Sequence, residues 1–474
     1  MLWFAPSLLG QATAPASSPQ PVPPPESSAV CSSCIRAHME VLASDDLRGR
    51  GSGTEDEHRA ANYIASVLRQ YGIPPATPGD YLQQADVILR KPTGPAQITF
   101  ELPEGKAKKN IAWTQGKEIL IVNLSHAEAS GPLQTIASSG TQPEIKPGTV
   151  VYLRTAEGTT ALADLDRLFE HGAAAVLVPE TAAWRARWEA RGKRLVHLPG
   201  ELAGDPEQGL GESANLVVLS AQAQNTLREV PDGAIVHLQV PTKPPETSHT
   251  WNVVAMLRGS DPNLRQEAVL FSAHLDHLGV GVPVNGDSIY NGADDDASGV
   301  CAVLELARVL SAGRRPRRTV IFALFGSEEA GGMGSLYFRA HPPVPLARIT
   351  ANLEFEMIGR ADPAVAADTL WLTGWDKSNL GPELAARGAK LVADPHPEQG
   401  FFTRSDNYVL AKKGVVAQTV SSFGLHKDYH QPSDDLAHID FAHMNAAIGS
   451  LLKPVEWLVN SDFTPKWVKP VTSD

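Results

Sequence analysis

The sequence has few cysteines, no long apolar segment and no excess of basic residues. Three cysteines among 474 residues are too few for a fold built on disulfides. No apolar run approaches the ~20 residues that a helix needs to cross a bilayer, so we expect no integral membrane segment. The net charge of −12 argues against nucleic acid as a partner, because such binding depends on basic surfaces. We therefore expect a soluble globular protein in which some carboxylates are available to bind cations.

The amino-terminal residues carry two further patterns. Cys31 and Cys34 form a CxxC pair without a second pair, which suits either a local disulfide or two free thiols. Residues 1–9 are mainly apolar and precede Ala-Thr-Ala at 12–14, as in a shortened signal peptide that lacks its basic start. This pattern predicts a secreted or periplasmic protein.

Changes in composition divide the chain into four segments. Residues 1–33 form the signal-like segment and a Pro/Ser-rich tether, and residues 34–91 carry two helical patterns but no predicted strand. Residues 92–246 contain short apolar runs between turn residues and a helical pattern at 161–170, which predicts a mainly β domain. Residues 247–474 alternate predicted strands and helices. We expect residues 34–91 to pack on this last segment, so that the β domain is an insertion.

The alternation after residue 246 predicts the fold class. The predicted strands lie at 252–257, 267–273, 319–325, 349–357 and 415–421. The predicted helices lie at 297–312, 334–341, 378–388 and 439–460. This order predicts an α/β fold with a mostly parallel central sheet and helices on both faces. Functional sites of such sheets form at the carboxyl ends of the strands.

The first candidate ligands at these strand ends are His274 and Asp276. Residues two apart on a strand point to the same side, so Asp276 can hold the ring of His274 in the tautomer that leaves one nitrogen for a metal. A buried core histidine is the alternative for His274 alone.

Three consecutive aspartates, Asp294, Asp295 and Asp296, precede a predicted helix. Aspartate often caps the start of a helix, but capping accounts for one of them and not for three. Carboxylates packed this densely repel one another unless a positive charge lies among them. The cluster therefore indicates a cation site.

Further acidic residues and a histidine follow the later strands. Glu328 and Glu329 end a strand that is apolar throughout and point in different directions, so one can bind a metal while the other acts as a general base. Glu354 and Glu356 share one side of the next strand, and alternation does not choose between them. His430 lies in a polar loop, where a buried structural histidine is less expected.

Together these segments supply two histidines and at least three carboxylates. Nitrogen and oxygen donors without thiolate suit zinc, and less well manganese or cobalt. Five ligands suit two metal ions about 3.5–4 Å apart that share one carboxylate.

These segments resemble the motifs of the M28 family of zinc aminopeptidases, and the insertion resembles a protease-associated (PA) domain. The similar motifs are Ala-His-Leu-Asp-His at 273–277, Gly-Ala-Asp-Asp-Asp-Ala-Ser-Gly at 292–299, Gly-Ser-Glu-Glu-Ala at 326–330, Glu-Met-Ile-Gly-Arg at 356–360, Tyr-His-Gln-Pro-Ser-Asp at 429–434 and the stretch at 42–50. The resemblance implies a zinc aminopeptidase-like fold and a peptide substrate with a free amino terminus.

The resemblance also implies which residues bind two zinc ions. His274 would bind one ion and His430 the other, with Asp295 as the bridge. Glu329 would complete one of the two sites, and which one is left open. The family usually has aspartate before Met-Ile-Gly, whereas this chain has Glu356, and Glu354 remains a minor alternative.

The implied catalytic residues are Glu328 and Asp276. Glu328 would act as the general base and Asp276 would orient His274. Two other activities occur among relatives of the family: glutaminyl cyclisation and removal of acidic residues by a carboxypeptidase, for which Arg404 could bind a substrate carboxylate if it is not in a structural ion pair. A third alternative is an inactive receptor-like binding protein, although every ligand position here holds a competent residue.

Overall fold

The structure, a computed structural model, describes most of the chain after residue 28. The described residues are 29–77, 79–102, 111–137, 144–154, 165, 167–169, 171–182, 184–185, 188, 198–204 and 215–471. The predicted signal-like segment and most of the predicted helix at 161–170 lie outside them. Cys31 and Cys34 form a disulfide. Within the described part of the chain, no helix has both the length and the apolar character to cross a membrane.

A nine-stranded sheet forms the centre of the larger domain. In spatial order its strands are β18 (Leu391–Ala393), β17 (Leu370–Leu372), β19 (Val416–Ser421), β16 (Ile349–Phe355), β12 (Ala268–His274), β15 (Thr319–Phe325), β11 (Glu246–Leu257), β1 (Leu82–Leu89) and β8 (Glu201–Leu202). The four strands β19, β16, β12 and β15 are parallel, and antiparallel strands flank them on both sides. Two further strands, β13 (Gly279–Val284) and β14 (Asp287–Tyr290), pair antiparallel in a separate sheet. The α/β class is confirmed, with the parallel pairing concentrated in the middle of the sheet.

Helices cover both faces of this sheet. The described helices are α1 (Ser32–Leu42), α2 (Glu55–Gln70), α3 (Ala221–Leu227), α4 (Gly299–Ala312), α5 (Met333–Ala340), α6 (Leu380–Ala385), α7 (Asn407–Ala411) and α8 (Phe441–Asn460). One face packs against α1, α2, α4, α6 and α8, and the other packs against α5 and α7. Every residue of β12 and β15 is buried, as expected of parallel strands that are covered on both faces.

A second sheet lies within the segment predicted to be an insertion. In spatial order its strands are β3 (Ala112–Thr114), β2 (Gln97–Glu101), β10 (Ile235–Gln239), β5 (Glu128–Ala137), β6 (Val150–Arg154), β7 (Ala175–Pro179), β9 (Leu216–Leu219) and β4 (Ile119–Asn123). The chain leaves the central sheet along β1 and returns along its antiparallel neighbour β11. This pairing brings the two ends of the intervening segment together, which is the arrangement that an inserted domain needs.

Strand β1 was not predicted, and the expectation that residues 34–91 contain no strand is wrong. The buried side chains of β1 include Gln83, Ala85 and Val87, while Gln84 and Asp86 are exposed. A glutamine and an alanine on the buried face weaken the apolar alternation from which a strand is predicted. The strand forms because it pairs with β11 over its full length.

The segment that follows α1 runs beneath the carboxyl ends of the central strands. The carbonyl oxygen of Arg50 accepts a hydrogen bond from the backbone N–H of His277 at 3.0 Å, and the N–H of Ser52 donates to the carbonyl of His277 at 3.3 Å. A Cβ on Gly49, whose φ is +70°, would lie 2.2 Å from the carbonyl oxygen of Tyr290. Only glycine fits such a contact, and the segment is thereby held against the loops that carry the candidate ligands.

Candidate active site

Asp295 lies at the centre of the site and faces two histidines from distant parts of the chain. Its Oδ1 is 3.1 Å from Nε2 of His274, and its Oδ2 is 3.3 Å from Nε2 of His430. The two oxygens of one carboxylate therefore point to different nitrogen donors. This is the arrangement that a carboxylate shared by two metal ions requires.

The remaining predicted ligands complete two groups around Asp295. Donor atoms of His274, Asp295 and Glu356 lie within 4.8 Å of one another. A second group within the same limit is formed by His277, Asp295 and Glu329. His430 joins the second group, because its Nε2 is 3.2 Å from Oε1 of Glu329. The structure thus brings all five predicted ligands together and places Glu329 with His430.

The chemistry of these side chains fits a pair of divalent metal ions. Nε2 of His274, both ring nitrogens of His277 and Oε1 of Glu329 are buried without a hydrogen-bond partner. Buried polar atoms are normally satisfied, so atoms of this kind that converge on one place indicate a missing partner. Imidazole nitrogens and carboxylate oxygens without sulfur are a donor set typical of zinc.

The flanking aspartates bind the protein backbone instead. Asp294 Oδ1 accepts the N–H of Gly359 at 2.7 Å, and Asp296 Oδ1 accepts the N–H groups of Gly299 at 2.9 Å and Met357 at 3.1 Å. These bonds join the aspartate loop to the start of α4 and to the segment after β16. Asp294 Oδ2 also lies 3.0 Å from Nε2 of His426, so of the three aspartates only Asp295 faces His274 and His430.

Asp276 holds the turn that carries the two glutamates. Its carboxylate accepts the N–H of Glu328 at 2.9 Å, the N–H of Glu329 at 3.3 Å and the hydroxyl of Ser52 at 2.6 Å. Nδ1 of His274 lies 3.2 Å from the backbone carbonyl oxygen of Asp276 and 3.7 Å from the carboxylate. The residue therefore orients His274 mainly through its carbonyl group, and its side chain positions Glu328 and Glu329.

Glu356, and not Glu354, reaches the site. Strand β16 ends at Phe355, so Glu356 leaves the strand alternation that would place both glutamates on one side. The carboxylate of Glu354 is buried and accepts hydrogen bonds from the N–H of Asn407 and the hydroxyl of Thr419, each at 2.9 Å.

Two residues of the site were missed by the sequence reasoning. His277 is fully buried with Nδ1 2.8 Å from Oε1 of Glu329; its signal was its place in the Ala-His-Leu-Asp-His motif. Arg50 is 1% exposed and donates to the carbonyl oxygens of Leu275 at 2.8 Å and Asn291 at 2.7 Å. It ties the loop after β12 to the loop that leads to the aspartates and places a permanent positive charge beside them.

Positive charge stabilises the ionised carboxylates of Asp295 and Glu329. Burial alone would raise the pKa of both carboxyls, but His277, His274 and His430 hold the pKa of Asp295 well below its usual range, and His430 and His277 do the same for Glu329. Burial alone would lower the pKa of His430, but Glu329 and Asp295 raise it to about 10. Protons on these histidines supply the charge that bound cations would replace.

The pKa values of Glu328 and Glu356 are shifted upwards, in contrast to those of Asp295 and Glu329. Burial raises the pKa of Glu328 well above its usual range, and Asp406, Glu329 and Glu356 add to the shift while His274 opposes it. Burial and Glu354 raise the pKa of Glu356 to about 7. A carboxylate with a raised pKa is a stronger proton acceptor, which suits Glu328 to general-base chemistry.

A pocket opens next to these carboxylates. Its other walls are mainly apolar and aromatic and include Met357, Trp371, Phe401, Phe423 and Tyr429. The exposed guanidinium of Arg404 also lines it and lies 5.0 Å from the centroid of the Phe401 ring. No acidic side chain in the described part of the chain forms an ion pair with Arg404, so the predicted structural ion pair is not found there.

The fold and the site define an α/β protein with a centre for two metal ions at the carboxyl ends of its parallel strands. Residues 252–453 match the model of peptidase family M28. The match falls on the segment whose motifs resemble that family. The protease-associated identity of the insertion stays a prediction.

Individual relatives share shorter segments. The chain is 31% identical to carboxypeptidase Q of Rattus norvegicus over 170 residues, and this segment covers 35% of this chain and 32% of that protein. It is 39% identical over 113 residues to an aminopeptidase of Pseudomonas aeruginosa, which is 24% of this chain and 19% of that protein. It is 35% identical over 115 residues to leupeptin-inactivating enzyme 1 of Streptomyces exfoliatus, which is 24% of each chain. The matched segments thus span less than a third of each of these relatives.

One solved structure supports the fold over nearly the whole chain. The aminopeptidase from Aneurinibacillus sp. strain AM-1 aligns with a TM-score of 0.54 and 17% sequence identity, covering 94% of this chain and 97% of that chain. At this identity the similarity shows the fold, including a counterpart for most of the chain outside residues 252–453.

Proposed function

We propose that the protein is a zinc-dependent aminopeptidase that releases amino-terminal residues from peptides. The observation that carries the proposal is the position of Asp295, whose two oxygens face His274 and His430 at a pocket that Glu328 also lines. Two zinc ions held by the five ligands would lower the pKa of a shared water towards neutrality and stabilise negative charge on the scissile carbonyl oxygen.

Side chains of the protein provide the proton transfer, the positioning of the turn and the substrate contacts. Glu328 accepts a proton from the attacking water and returns it to the leaving amine, a role that its raised pKa favours. The hydrogen bonds from its own N–H and that of Glu329 to Asp276 keep the turn in place during this transfer. Glu328 lines the pocket and is not among the predicted ligands, so its carboxylate is available to the positively charged α-amino group of a peptide. The aromatic walls favour an apolar side chain.

A carboxypeptidase activity is the second candidate, and Arg404 is the observation that favours it. An exposed guanidinium in the pocket, without an acidic partner among the described residues, can bind a substrate carboxylate in a bidentate manner. The relative from Rattus norvegicus bears the name carboxypeptidase Q. We favour the aminopeptidase because the relative from Pseudomonas aeruginosa, which bears that name, shares the higher identity with this chain over its matched segment.

A panel of blocked and free substrates tests the proposal. We expect leucyl or phenylalanyl 4-nitroanilides to be hydrolysed, and their N-acetylated forms to be cleaved at least about 100-fold more slowly, because the site loses the charged amino group that it recognises. A chelator such as 1,10-phenanthroline is expected to abolish the activity, and added zinc to restore it. Hydrolysis is followed by the absorbance of released nitroaniline.

The same panel separates the two activities. N-acetylated dipeptides with a free carboxylate are the control, and their cleavage in preference to free aminoacyl anilides would contradict the aminopeptidase proposal and support the carboxypeptidase. Activity that survives full removal of zinc would contradict both.

We also propose that the protein is exported. The signal-like residues 1–14 support this location, and so does the Cys31–Cys34 disulfide, because disulfides persist in oxidising compartments.

A further inference from the structure

Glu57, on the first turn of α2, is a fully buried carboxylate that the proposed mechanism does not use. It is 0% exposed and accepts four hydrogen bonds. Its Oε1 accepts the hydroxyl of Thr250 at 2.6 Å and the N–H of Trp251 at 3.0 Å. Its Oε2 accepts the N–H of Gly53 and the hydroxyl of Ser327 at 3.0 Å.

Ser327 is the residue directly before the proposed general base. It is fully buried and has φ of +51°, a left-handed conformation that non-glycine residues seldom adopt and that costs free energy unless contacts hold it. The side-chain hydrogen bond to Glu57 is such a contact. The same carboxylate packs on the preceding residue, since a Cβ on Gly326 would lie 2.3 Å from Oε1 of Glu57.

A helix-capping role alone does not account for these contacts. A glutamate at the third position of a helix often reaches back to the backbone at the start of that helix, and the hydrogen bond from Gly53 is of this kind. The other three donors belong to strand β11 and to the turn after β15. Full burial of a carboxylate is costly: burial and Asp276 raise the pKa of Glu57 to about 8, and the hydrogen bonds from Thr250, Gly53 and Trp251 oppose that shift.

We propose that Glu57 is a positioning residue for catalysis: by accepting the hydrogen bond of the Ser327 hydroxyl, it fixes the turn that aims Glu328 at the substrate. The inference rests on the proposed function of Glu328. Two carboxylates then hold this turn from opposite ends. Asp276 binds the N–H groups of Glu328 and Glu329, and Glu57 binds the side chain of Ser327.

The test is a double-mutant cycle of Glu57→Gln and Ser327→Ala in the full-length, zinc-loaded protein. Each single variant is expected to lower kcat for the aminoacyl anilide about 10-fold, because a small displacement of a catalytic group is enough for such a loss. KM and the zinc content per chain are expected to remain within about twofold of the parent values, since neither residue contacts the proposed ligands. The double variant is expected to be no slower than the slower single variant, because both substitutions act on the same contact: alanine removes its hydroxyl, and glutamine replaces one carboxylate oxygen by an amide nitrogen.

Thr250→Ala is the matched control. It removes a hydroxyl-to-carboxylate hydrogen bond of the same kind from the other oxygen of Glu57, on the side of β11. We expect it to lower Tm but to leave kcat within about twofold of the parent value, because the bond between Glu57 and Ser327 is intact. An equal loss of kcat in Thr250→Ala and Ser327→Ala would overturn the positioning role, as would additive losses in the cycle.

Hydrogen exchange of the peptide that contains residues 326–333 gives a readout that is independent of activity. Faster exchange of this peptide in Ser327→Ala, but not in Thr250→Ala, is expected. Unchanged exchange and unchanged kcat in Ser327→Ala would overturn the inference even if Glu57→Gln fails to fold. If the parent protein hydrolyses no peptide substrate, the proposed function fails, and the exchange result still decides whether Glu57 fixes the turn.

Discussion

Replacing Glu328 by glutamine is expected to lower kcat about 10²–10⁴-fold while the zinc content stays unchanged. The amide has nearly the same shape as the carboxylate but cannot accept the proton of the attacking water. Glu328 lines the pocket, and the predicted ligands of the two metal groups do not include it. The effect should therefore fall on kcat and much less on KM, as measured with an aminoacyl anilide and by metal analysis of the same sample.

Glu456→Gln is the control for this substitution. Glu456 is exposed on α8, and its replacement changes the same functional group at a site remote from the pocket. Parent-like kinetics are expected for it. A Glu328→Gln protein that retains more than about a tenth of the parent kcat would show that another group is the base.

Replacing Asp295 by alanine is expected to remove both metal ions and with them all measurable activity. Asp295 is the one side chain that belongs to both groups of candidate ligands in the described part of the chain. Its loss deprives His274 and His430 of their shared partner, and it leaves buried histidine nitrogens close together without the carboxylate that compensates them. Metal analysis after dialysis against buffer without zinc measures the loss directly.

Asp462→Ala is the matched control, because this side chain is 82% exposed and far along the chain from the site. It is expected to keep the zinc content and kcat of the parent. Retention of two zinc ions by the Asp295→Ala protein would contradict the bridging role and would leave the other ligands to hold each ion separately.

The strand ends that carry the ligands were predictable because the central strands are strongly apolar. Strands β12 and β15 contain almost no polar residue, so the sequence shows where each strand ends, next to His274 and Glu328 respectively. Parallel pairing then brings the carboxyl ends of neighbouring strands to one edge of the sheet. Periodicity was less informative at Glu356, because β16 ends two residues earlier than predicted and the alternation no longer applies there.

The residues that support the ligands were not predictable, because their contacts are long-range and involve the backbone. The carboxylate of Asp276 binds the N–H groups of Glu328 and Glu329, which have no signature in the sequence. Arg50 and Glu57 lie more than 190 residues before most of the groups that they contact. Only the folded chain shows that this amino-terminal segment contacts and supports the loops of the site.

Crystallography of the zinc-loaded protein with anomalous scattering measured at the zinc absorption edge is the most direct test of the central claim. We predict two anomalous peaks that share Asp295, one next to His274 and Glu356 and the other next to Glu329 and His430. A single peak, or peaks that do not contact Asp295, would contradict the two-metal centre and the mechanism proposed from it.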